Sequence, residues 1–353
     1  MFLRSYLLDL ATDQEKGFFA SLAKIPLFLL SLVYGMFIRV LSRVQSLRPF
    51  HPGIKVISVG NITLGGTGKT MLVEYIAHAL SGTGHPAAVL TRGYKKPRRG
   101  HSGGENGYEA LGDEGAMLKR GFPGMPVLVD PDRVRSARLA AAQGCAAVIL
   151  DDGFQQWRIR KDLDIVCVDA RGFGNGCCIP RGLLREPLSA LRRAQVFVIT
   201  NRGLVRDTVS LRGFLAGINP RALIVESGHQ AQGLFAPGAR EMTPAEKIGP
   251  AALVCGIGNP DSFFNSCREA GIDGPRIVFP DHHAFTASDF DRIAAVCRGA
   301  GARAAVITRK DEARLSPGEF EARGLAVYVL RVTLRIKENE QEFIRRLRGL
   351  FPA

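Results

Sequence analysis

The stretch "VISVGNITLGGTGKT", Val56–Thr70, decides the fold of this 353-residue chain. Its apolar, β-branched beginning predicts a buried strand, and its Gly-Lys-Thr end is typical of a phosphate-binding loop that opens a helix. The usual loop has a glycine five residues before Gly68, where this chain has Thr63. We expect Gly65 and Gly66 to supply the turn instead, so the stretch still predicts nucleotide binding.

The residue types of this loop suit a polyphosphate. Backbone N–H groups at the glycines can surround phosphate oxygens, and the helix N-terminus adds partial positive charge. Lys69 is expected to reach the β- and γ-phosphates, and Thr70 to ligate Mg²⁺. The residues expected to hold the nucleotide are Thr63, Leu64, Gly65, Gly66, Thr67, Gly68, Lys69 and Thr70.

Apolar β-branched runs alternate with helical patterns along the chain. This alternation predicts an α/β fold with a mainly parallel sheet and helices on both faces, as in P-loop NTPases. A Gly- and Pro-containing stretch, 221–250, is expected to link the core, 51–220, to a smaller α/β lobe, 251–353, that closes over the active site. Strands are expected at 55–60, 87–91, 125–130, 146–150, 164–169 and 196–200, then near 251–255, 276–279, 303–308 and 325–331.

An apolar run lies near the N-terminus. Fourteen uncharged residues, Ile25–Ile38, stand between Lys24 and Arg39. As a helix they would reach about 21 Å, short of the ~30 Å hydrocarbon core of a bilayer. A short apolar helix with cationic flanks favours a membrane-interface position for residues 1–50, and a core helix or a full span are the alternatives.

The formal net charge is +14, with basic clusters at 92–99, 158–161 and 181–193. Such clusters attract a polyanion, an acidic metabolite or an anionic membrane, although general solubility explains any one of them equally well. Aromatic residues make up 8% of the chain, with a single Trp, so platforms for stacking bases are scarce. We therefore expect an anionic membrane surface as a partner and no nucleic acid.

Acidic and histidine residues mark three further candidate sites. Asp151 and Asp152 end a buried-type strand, as metal-binding carboxylates of P-loop enzymes do. Asp113 stands at a probable helix start, where capping explains an acidic residue as well as catalysis does. His282 and His283 follow Asp281 and suit acid–base chemistry, metal binding or helix capping. "ITRKDEA", 307–313, is a poor match to a guanine-specificity motif.

Together these motifs resemble those of the tetraacyldisaccharide 4'-kinases, membrane-associated P-loop enzymes of lipid A synthesis. The blocks that carry the resemblance are "SVGNITLGGTGKT", "TRGYKK", "GDE", "DPDR", "LDDGFQ", "PRGLLREP", "GIGNP", "FPDHH" and "TRKDEARL". The resemblance implies Mg²⁺-dependent transfer of the γ-phosphate of ATP onto the 4'-hydroxyl of a glycolipid, tetraacyldisaccharide 1-phosphate, to give lipid IVA. It places the enzyme at the cytoplasmic face of the inner membrane and implies no protein partner.

The resemblance also implies roles for individual residues. Asp113 would take the proton of the sugar hydroxyl, and His282, preferred to His283, would position it. The implied catalytic residues are Asp113, His282, Lys69 and Asp152. The implied Mg²⁺ ligands are Thr70, Asp151, Asp152 and Glu186. Gln155 would join the loop in binding ATP, and the implied substrate contacts are Tyr94, Arg133 and Arg185. The chain departs from the family pattern at Gln156, Arg181 and Leu183, which puts the local loop shape in question.

The main alternative is a membrane-associated nucleotide switch or a metallochaperone-type GTPase. It explains the P-loop and the Asp151–Asp152 pair, but not "GDE" and "FPDHH". A nucleic-acid-dependent ATPase would explain the charge but not the scarcity of aromatic residues.

Overall fold

The computed structural model describes residues 2–82, 84–92, 124–281 and 283–351. The predicted site residues Tyr94, Asp113 and His282 lie outside the described residues. The chain divides into two compact units, which are unit 1, Met1–Ser227 with Ile336–Ala353, and unit 2, Gly228–Arg335.

The described chain contains ten α-helices. They are α1 (Phe2–Ala11), α2 (Phe18–Gln45), α3 (Lys69–Ser81), α4 (Arg133–Ala142), α5 (Val209–Ile218), α6 (Pro260–Glu269), α7 (Ala287–Gly299), α8 (Arg309–Glu312), α9 (Pro317–Glu321) and α10 (Glu340–Arg348).

The sheet of unit 1 is parallel, with strand order β7-β6-β5-β1-β4-β2-β3. The strands are β1 (Lys55–Gly60), β2 (Ala87–Thr91), β3 (Val127–Val129), β4 (Ala147–Asp151), β5 (Leu163–Asp169), β6 (Val196–Thr200) and β7 (Leu223–Phe235). Strand β1 pairs with β4 and β5, so the loop after β1 emerges between the carboxyl ends of these two strands. Ligands of open α/β sheets bind at such an edge.

Helices cover both faces of this sheet. On one face, Ala137 and Ala140 of α4 pack against Val56 of β1 and Val148 of β4. The alternate residues of the same strands, such as Ile57, are also fully buried. Because successive strand residues point to opposite faces, a second layer must cover them, and α3 contacts these strands. The predicted α/β fold with helices on both faces is confirmed.

Unit 2 has its own α/β organisation, as predicted. Its parallel strands are β9 (Ala251–Cys255), β10 (Arg276–Val278), β11 (Ala304–Thr308) and β12 (Ala326–Glu338), in the order β10-β9-β11-β12. The short strand β8 (Met242–Thr243) pairs antiparallel with the end of β7. Buried residues of α7 and α9, including Ile293 and Phe320, pack against this sheet. The closure of this lobe over the active site stays a prediction.

The division of the chain differs from the expected one. The stretch 221–250 contains strands β7 and β8, although its glycines and polar residues suggest a loose linker. The C-terminal segment, Ile336–Ala353, belongs to unit 1 and not to the second lobe. Its helix α10 packs on α3, where Phe343 stacks on Tyr75 at 6.2 Å and Glu340 accepts a hydrogen bond from the Tyr75 hydroxyl at 2.6 Å.

Helix α2 is longer than the fourteen residues expected. It runs for 28 residues, about 42 Å. Only Ala20, Ser31 and Gly35 are buried on it, while large side chains such as Leu29 and Phe37 are more than half exposed. The core-helix alternative is therefore wrong. An 18-residue window has a mean hydropathy of 1.9, so by length and composition α2 could cross a bilayer, and it is compatible with membrane association.

Candidate active site

The P-loop turns through two glycines with positive φ. Gly65 and Gly68 have φ of 111° and 73°, in the left-handed region that favours glycine. A Cβ added at Gly65 or Gly66 would meet nothing within 4 Å, so the backbone there faces open space. Gly68 caps the N-terminus of α3, and a Cβ on it would lie 3.7 Å from Thr200 at the end of β6. The loop thus presents free backbone at the start of α3 without the missing first glycine.

One residue that the motif analysis missed braces this loop from inside. Asn61 is fully buried, and its amide donates to the Thr67 hydroxyl and to the Thr63 carbonyl, both at 2.9 Å. These bonds span the curve of the loop. No spacing rule singles out Asn61, since its partners are recognisable only once the loop is folded.

The loop 175–187, here called the Arg185 loop, pairs with the P-loop through the backbone. The Leu64 amide donates to the Leu183 carbonyl at 2.8 Å, and the Arg185 amide donates to the Ile62 carbonyl at 2.6 Å. Leu183 is one of the positions that depart from the family pattern, and this pairing forms with it in place. The Arg185 loop therefore has a defined shape that is built onto the P-loop.

Asp152 is the point where two cations meet. Its carboxylate lies 3.3 Å from Lys69 Nζ and 2.8 Å from Arg185 Nη1. Burial alone would raise the pKa of Asp152, but the positive charges of Lys69 and Arg185 outweigh burial and hold this pKa below its ordinary value. Asp152 has φ of 55°, a left-handed conformation that Asp tolerates better than most residues. Gly153 follows, where a Cβ would lie 2.7 Å from Ser58 Oγ.

Asp151 and Arg133 lie deeper at the same sheet edge. Asp151 is 4% exposed and accepts from the Thr91 hydroxyl at 3.5 Å. Arg133 is 2% exposed, and its guanidinium donates to the backbone carbonyls of Asp130 and Asp151. Burial lowers the pKa of Arg133 to about 10, although Asp151 and Asp152 oppose that shift. Arg133 thus supports the ends of β3 and β4, and its contact with substrate stays a prediction.

Glu186 is held in a buried network. It is 1% exposed, and its oxygens accept from Arg193 at 2.9 and 3.0 Å and from the Gln155 amide at 3.0 Å. Gln155 also donates to the Asn61 carbonyl at 3.0 Å, so the network reaches the strand–loop junction of the P-loop. Both carboxylate oxygens of Glu186 already have donors. This geometry suits a structural anchor, and the predicted metal-ligand role of Glu186 stays untested.

The basic cluster 181–193 is not simply an exposed cationic surface. Three of its arginines pair with carboxylates of unit 1: Arg181 with Asp13, Arg185 with Asp152, and Arg193 with Glu186. These pairs build the candidate site and its surroundings.

Two motifs of unit 2 have structural partners. His283 Nε2 lies 2.9 Å from Asp289, a capping residue of α7, and its ring stacks on Phe279. Asp311 of "ITRKDEA" is fully buried and accepts from the Thr308 hydroxyl at 2.7 Å and the Gly256 amide at 3.1 Å. Asp311 therefore has a structural role within unit 2, which agrees with the poor match of this stretch to a guanine-specificity motif.

Within the described ranges, no group of three or more His, Cys, Asp and Glu side chains is arranged as a metal site. The expected Mg²⁺ ligands besides Glu186 are Thr70, Asp151 and Asp152. Asp151 ends β4 and Asp152 follows it, while Thr70 lies at the start of α3, after the neighbouring strand β1. A hydroxyl and carboxylates are donors that Mg²⁺ accepts, because this ion usually keeps several waters and takes few protein ligands. The donor set therefore fits Mg²⁺, and its occupancy stays a prediction.

Comparison with known proteins identifies the family of this chain. Residues 23–351 match the family model of the tetraacyldisaccharide-1-P 4'-kinases, LpxK. A protein of Halothermothrix orenii named tetraacyldisaccharide 4'-kinase is 34% identical over 371 residues, covering 95% of each chain. Another of that name, from Anaeromyxobacter dehalogenans, is 37% identical over 293 residues, covering 79% of this chain and 77% of its own.

A solved structure shows the same fold. The LpxK of Aquifex aeolicus, crystallised in complex with ATP, superimposes with a TM-score of 0.71 at 23% identity, covering 94% of this chain and 100% of its own. The resemblance drawn from the motifs is confirmed: the chain belongs to the tetraacyldisaccharide-1-P 4'-kinase family.

Proposed function

We propose that this chain is an ATP-dependent tetraacyldisaccharide 4'-kinase, which transfers the γ-phosphate of ATP to the 4'-hydroxyl of tetraacyldisaccharide 1-phosphate. The observation that carries the proposal is the convergence of Lys69 and Arg185 on Asp152, beside a P-loop whose Gly65 and Gly66 face open space. The names of the relatives support the lipid acceptor, and the ATP complex of the Aquifex aeolicus protein supports the donor.

Phosphoryl transfer asks a protein mainly to position reactants and to neutralise charge. Backbone N–H groups of the P-loop would bind the phosphate oxygens, and Lys69 and Arg185 would face the negative charge that spreads over the transferred group. Asp152 holds the Lys69 and Arg185 side chains close together beside the P-loop.

Thr70, Asp151 and Asp152 would hold Mg²⁺, which supplies further positive charge to the phosphates. Asp113 as the base and His282 as its positioning partner complete the proposal, on the strength of the resemblance. Tyr94 and Arg133 are proposed to assist substrate binding.

We infer that α2 lies in the interface of the cytoplasmic leaflet, next to the acyl chains of the glycolipid. The middle of α2 is docked on the Arg185 loop, because the Tyr34 hydroxyl donates to the Arg185 carbonyl at 3.0 Å. A Cβ at Gly35 would lie 3.5 Å from Pro187. A transmembrane position would carry this polar loop to the bilayer centre at high cost, so an interfacial helix fits better.

The test is phosphate transfer from γ-labelled ATP to tetraacyldisaccharide 1-phosphate in detergent micelles with Mg²⁺. We expect labelled lipid from the wild type and from the control Lys247→Met, which removes an exposed lysine of unit 2. Lys69→Met should lower the rate at least about 100-fold. A folded wild type that prefers GTP, or hydrolyses nucleotide without labelling the lipid, would favour the nucleotide switch instead.

A further inference from the structure

The turn between α1 and α2 is fastened to the Arg185 loop by a polar cluster, here called the N-terminal latch and made of Asp13, Lys24, Asn175 and Arg181. Arg181 Nη2 lies 2.8 Å from Asp13 Oδ1, and Arg181 Nη1 donates to the Leu10 carbonyl at 3.2 Å. Lys24 Nζ lies 2.7 Å from the same Asp13 oxygen. Arg181 therefore ties a turn near the N-terminus to a loop 168 residues later.

The two cations of the latch are mostly buried, whereas the Asp13 side chain that they share is 40% exposed. The side chains of Arg181 and Lys24 are 14% and 19% exposed. The side-chain amide of Asn175 donates to the Ala11 carbonyl at 2.9 Å and to Asp13 Oδ2 at 3.2 Å. The side-chain oxygen of Asn175, Oδ1, accepts from the Cys177 backbone amide at 3.1 Å. Arg181, Lys24 and Asn175 all bind Asp13, and such a network is worth more than an isolated exposed ion pair.

The latch is joined by a short stretch of the Arg185 loop to the residues that contact the P-loop and Asp152. Gly182, next to Arg181, has no room for a Cβ because it would overlap Asn175 Oδ1 and the Cys177 carbonyl. The following residues, Leu183 and Arg185, make the two backbone hydrogen bonds to the P-loop. Arg181 thus lies four residues before the arginine whose guanidinium holds Asp152.

We propose that Arg181 is a positioning residue for phosphate transfer, which holds the α1–α2 turn through Asp13 and thereby fixes the Arg185 loop and its contact with Asp152. The inference rests on the proposed function. Through Arg181, the turn between α1 and α2 is connected to the loop that pairs with the P-loop. Arg181 is also a position where the chain departs from the pattern of its family.

Lys24 provides a matched comparison. It binds the same carboxylate as Arg181, and its other contact is the Glu15 carbonyl within the N-terminal segment, at 2.9 Å. Lys24→Met therefore removes a cation from Asp13 without removing a contact to the Arg185 loop. A general loss of charge at Asp13 would affect both variants equally, whereas a positioning role separates them.

The experiment measures kcat at saturating ATP and lipid for Arg181→Met, Asp13→Asn, their double variant, Arg181→Lys and Lys24→Met. We expect Arg181→Met and Asp13→Asn each to lower kcat about tenfold, and the double variant to fall no further, because both remove one connection. Arg181→Lys should recover most of the rate, and Lys24→Met should stay within about threefold of the wild type.

Hydrogen exchange supplies a readout that does not need turnover. The amides of Leu64 and Arg185 should exchange at least about tenfold faster in Arg181→Met than in Lys24→Met. Unchanged exchange, a kcat for Arg181→Met above half of the wild-type value, or an equal loss in Lys24→Met would overturn the positioning role. If Arg181→Met does not fold, the test is the difference between the two other variants: Asp13→Asn should lose about tenfold in kcat with faster exchange, and Arg181→Lys should lose little of either. A wild type without labelled lipid would reject the proposed function, while the exchange data would still judge the latch.

Discussion

Replacing Arg193 with methionine should destabilise unit 1 more than replacing its partner Glu186 with glutamine. The asymmetry comes from exposure, because Glu186 is 1% exposed while the Arg193 side chain is 36% exposed. Without Arg193, the buried carboxylate of Glu186 loses its cationic partner. Without that carboxylate, the guanidinium of Arg193 is still hydrated.

The structure sets the size of each effect. Breaking a buried ion pair by removing one partner costs about 3–5 kcal/mol. Arg193 also lies 4.4 Å from the centre of the buried Phe154 ring, a cation–π contact worth about 0.5–1 kcal/mol. Arg193→Met should therefore cost about 3.5–6 kcal/mol. Glu186→Gln keeps one acceptor and leaves a hydrated cation, so it should cost about 1–2 kcal/mol. The double variant should cost less than the sum, because neither charge is left alone.

The single Trp of the chain, Trp157, lies in unit 1 and reports on its unfolding. Urea titrations followed by Trp157 fluorescence give the free energy of unfolding for each variant.

This experiment also separates two roles for Glu186. If Glu186→Gln costs as much as Arg193→Met, or if each costs under about 1 kcal/mol, the buried anchor described here is wrong. If Glu186→Gln leaves stability intact but raises the Mg²⁺ concentration for half-maximal activity about tenfold or more, Glu186 is a metal ligand, as the resemblance implies.

Four further predictions follow from the site, the latch and α2. Lys69→Ala should lower kcat at least about 100-fold at saturating ATP in a protein that still folds, because its charge acts on the transferred phosphate. Asp113→Ala should lower turnover roughly 10²- to 10⁴-fold, the usual effect of a positioned base, and a loss under about tenfold with the fold intact would reject that role. Hydrogen bonds from Lys24, Arg181 and Asn175 outweigh burial and lower the pKa of Asp13 to about 2. The stabilising effect of the Asp13 carboxylate is present above about pH 4 and is lost toward pH 2. In urea titrations, the free energy of unfolding of Asp13→Asn should therefore fall less between about pH 4 and pH 2 than that of the wild type. Leu29→Asp on α2 should weaken binding to anionic vesicles about tenfold or more in a flotation assay, whereas Leu139→Asp, an equivalent change on α4, should not.

The sequence predicts the sheet of unit 1 closely where its signal is local. Strands β1, β2 and β6 have the expected ends, because each is a continuous buried run bounded by turn residues or glycine. The P-loop is likewise a local motif, and the structure shows why Thr63 is acceptable: Gly65 and Gly68 take the left-handed conformations.

What the sequence did not predict depends on contacts between distant residues. Asn61 acts through partners that only the folded loop brings near, and the Asp13–Arg181 pair spans 168 residues. The length of α2 was underestimated because the apolar run ends at Lys24 and Arg39, yet both are good helix formers whose long side chains can extend to water. The assignment of α10 to unit 1 depends on its packing against α3, and the local sequence of α10 does not predict that contact.

The most direct test of the central claim is the position of the new phosphate in the lipid product. The reaction product of tetraacyldisaccharide 1-phosphate, ATP and the wild-type protein can be purified and examined by correlated proton–phosphorus NMR. We predict a second monophosphate ester coupled to the proton at the 4' carbon of the distal sugar, and none with Lys69→Met. A lipid that keeps its single phosphate while ATP is consumed, or one phosphorylated elsewhere, would contradict the account.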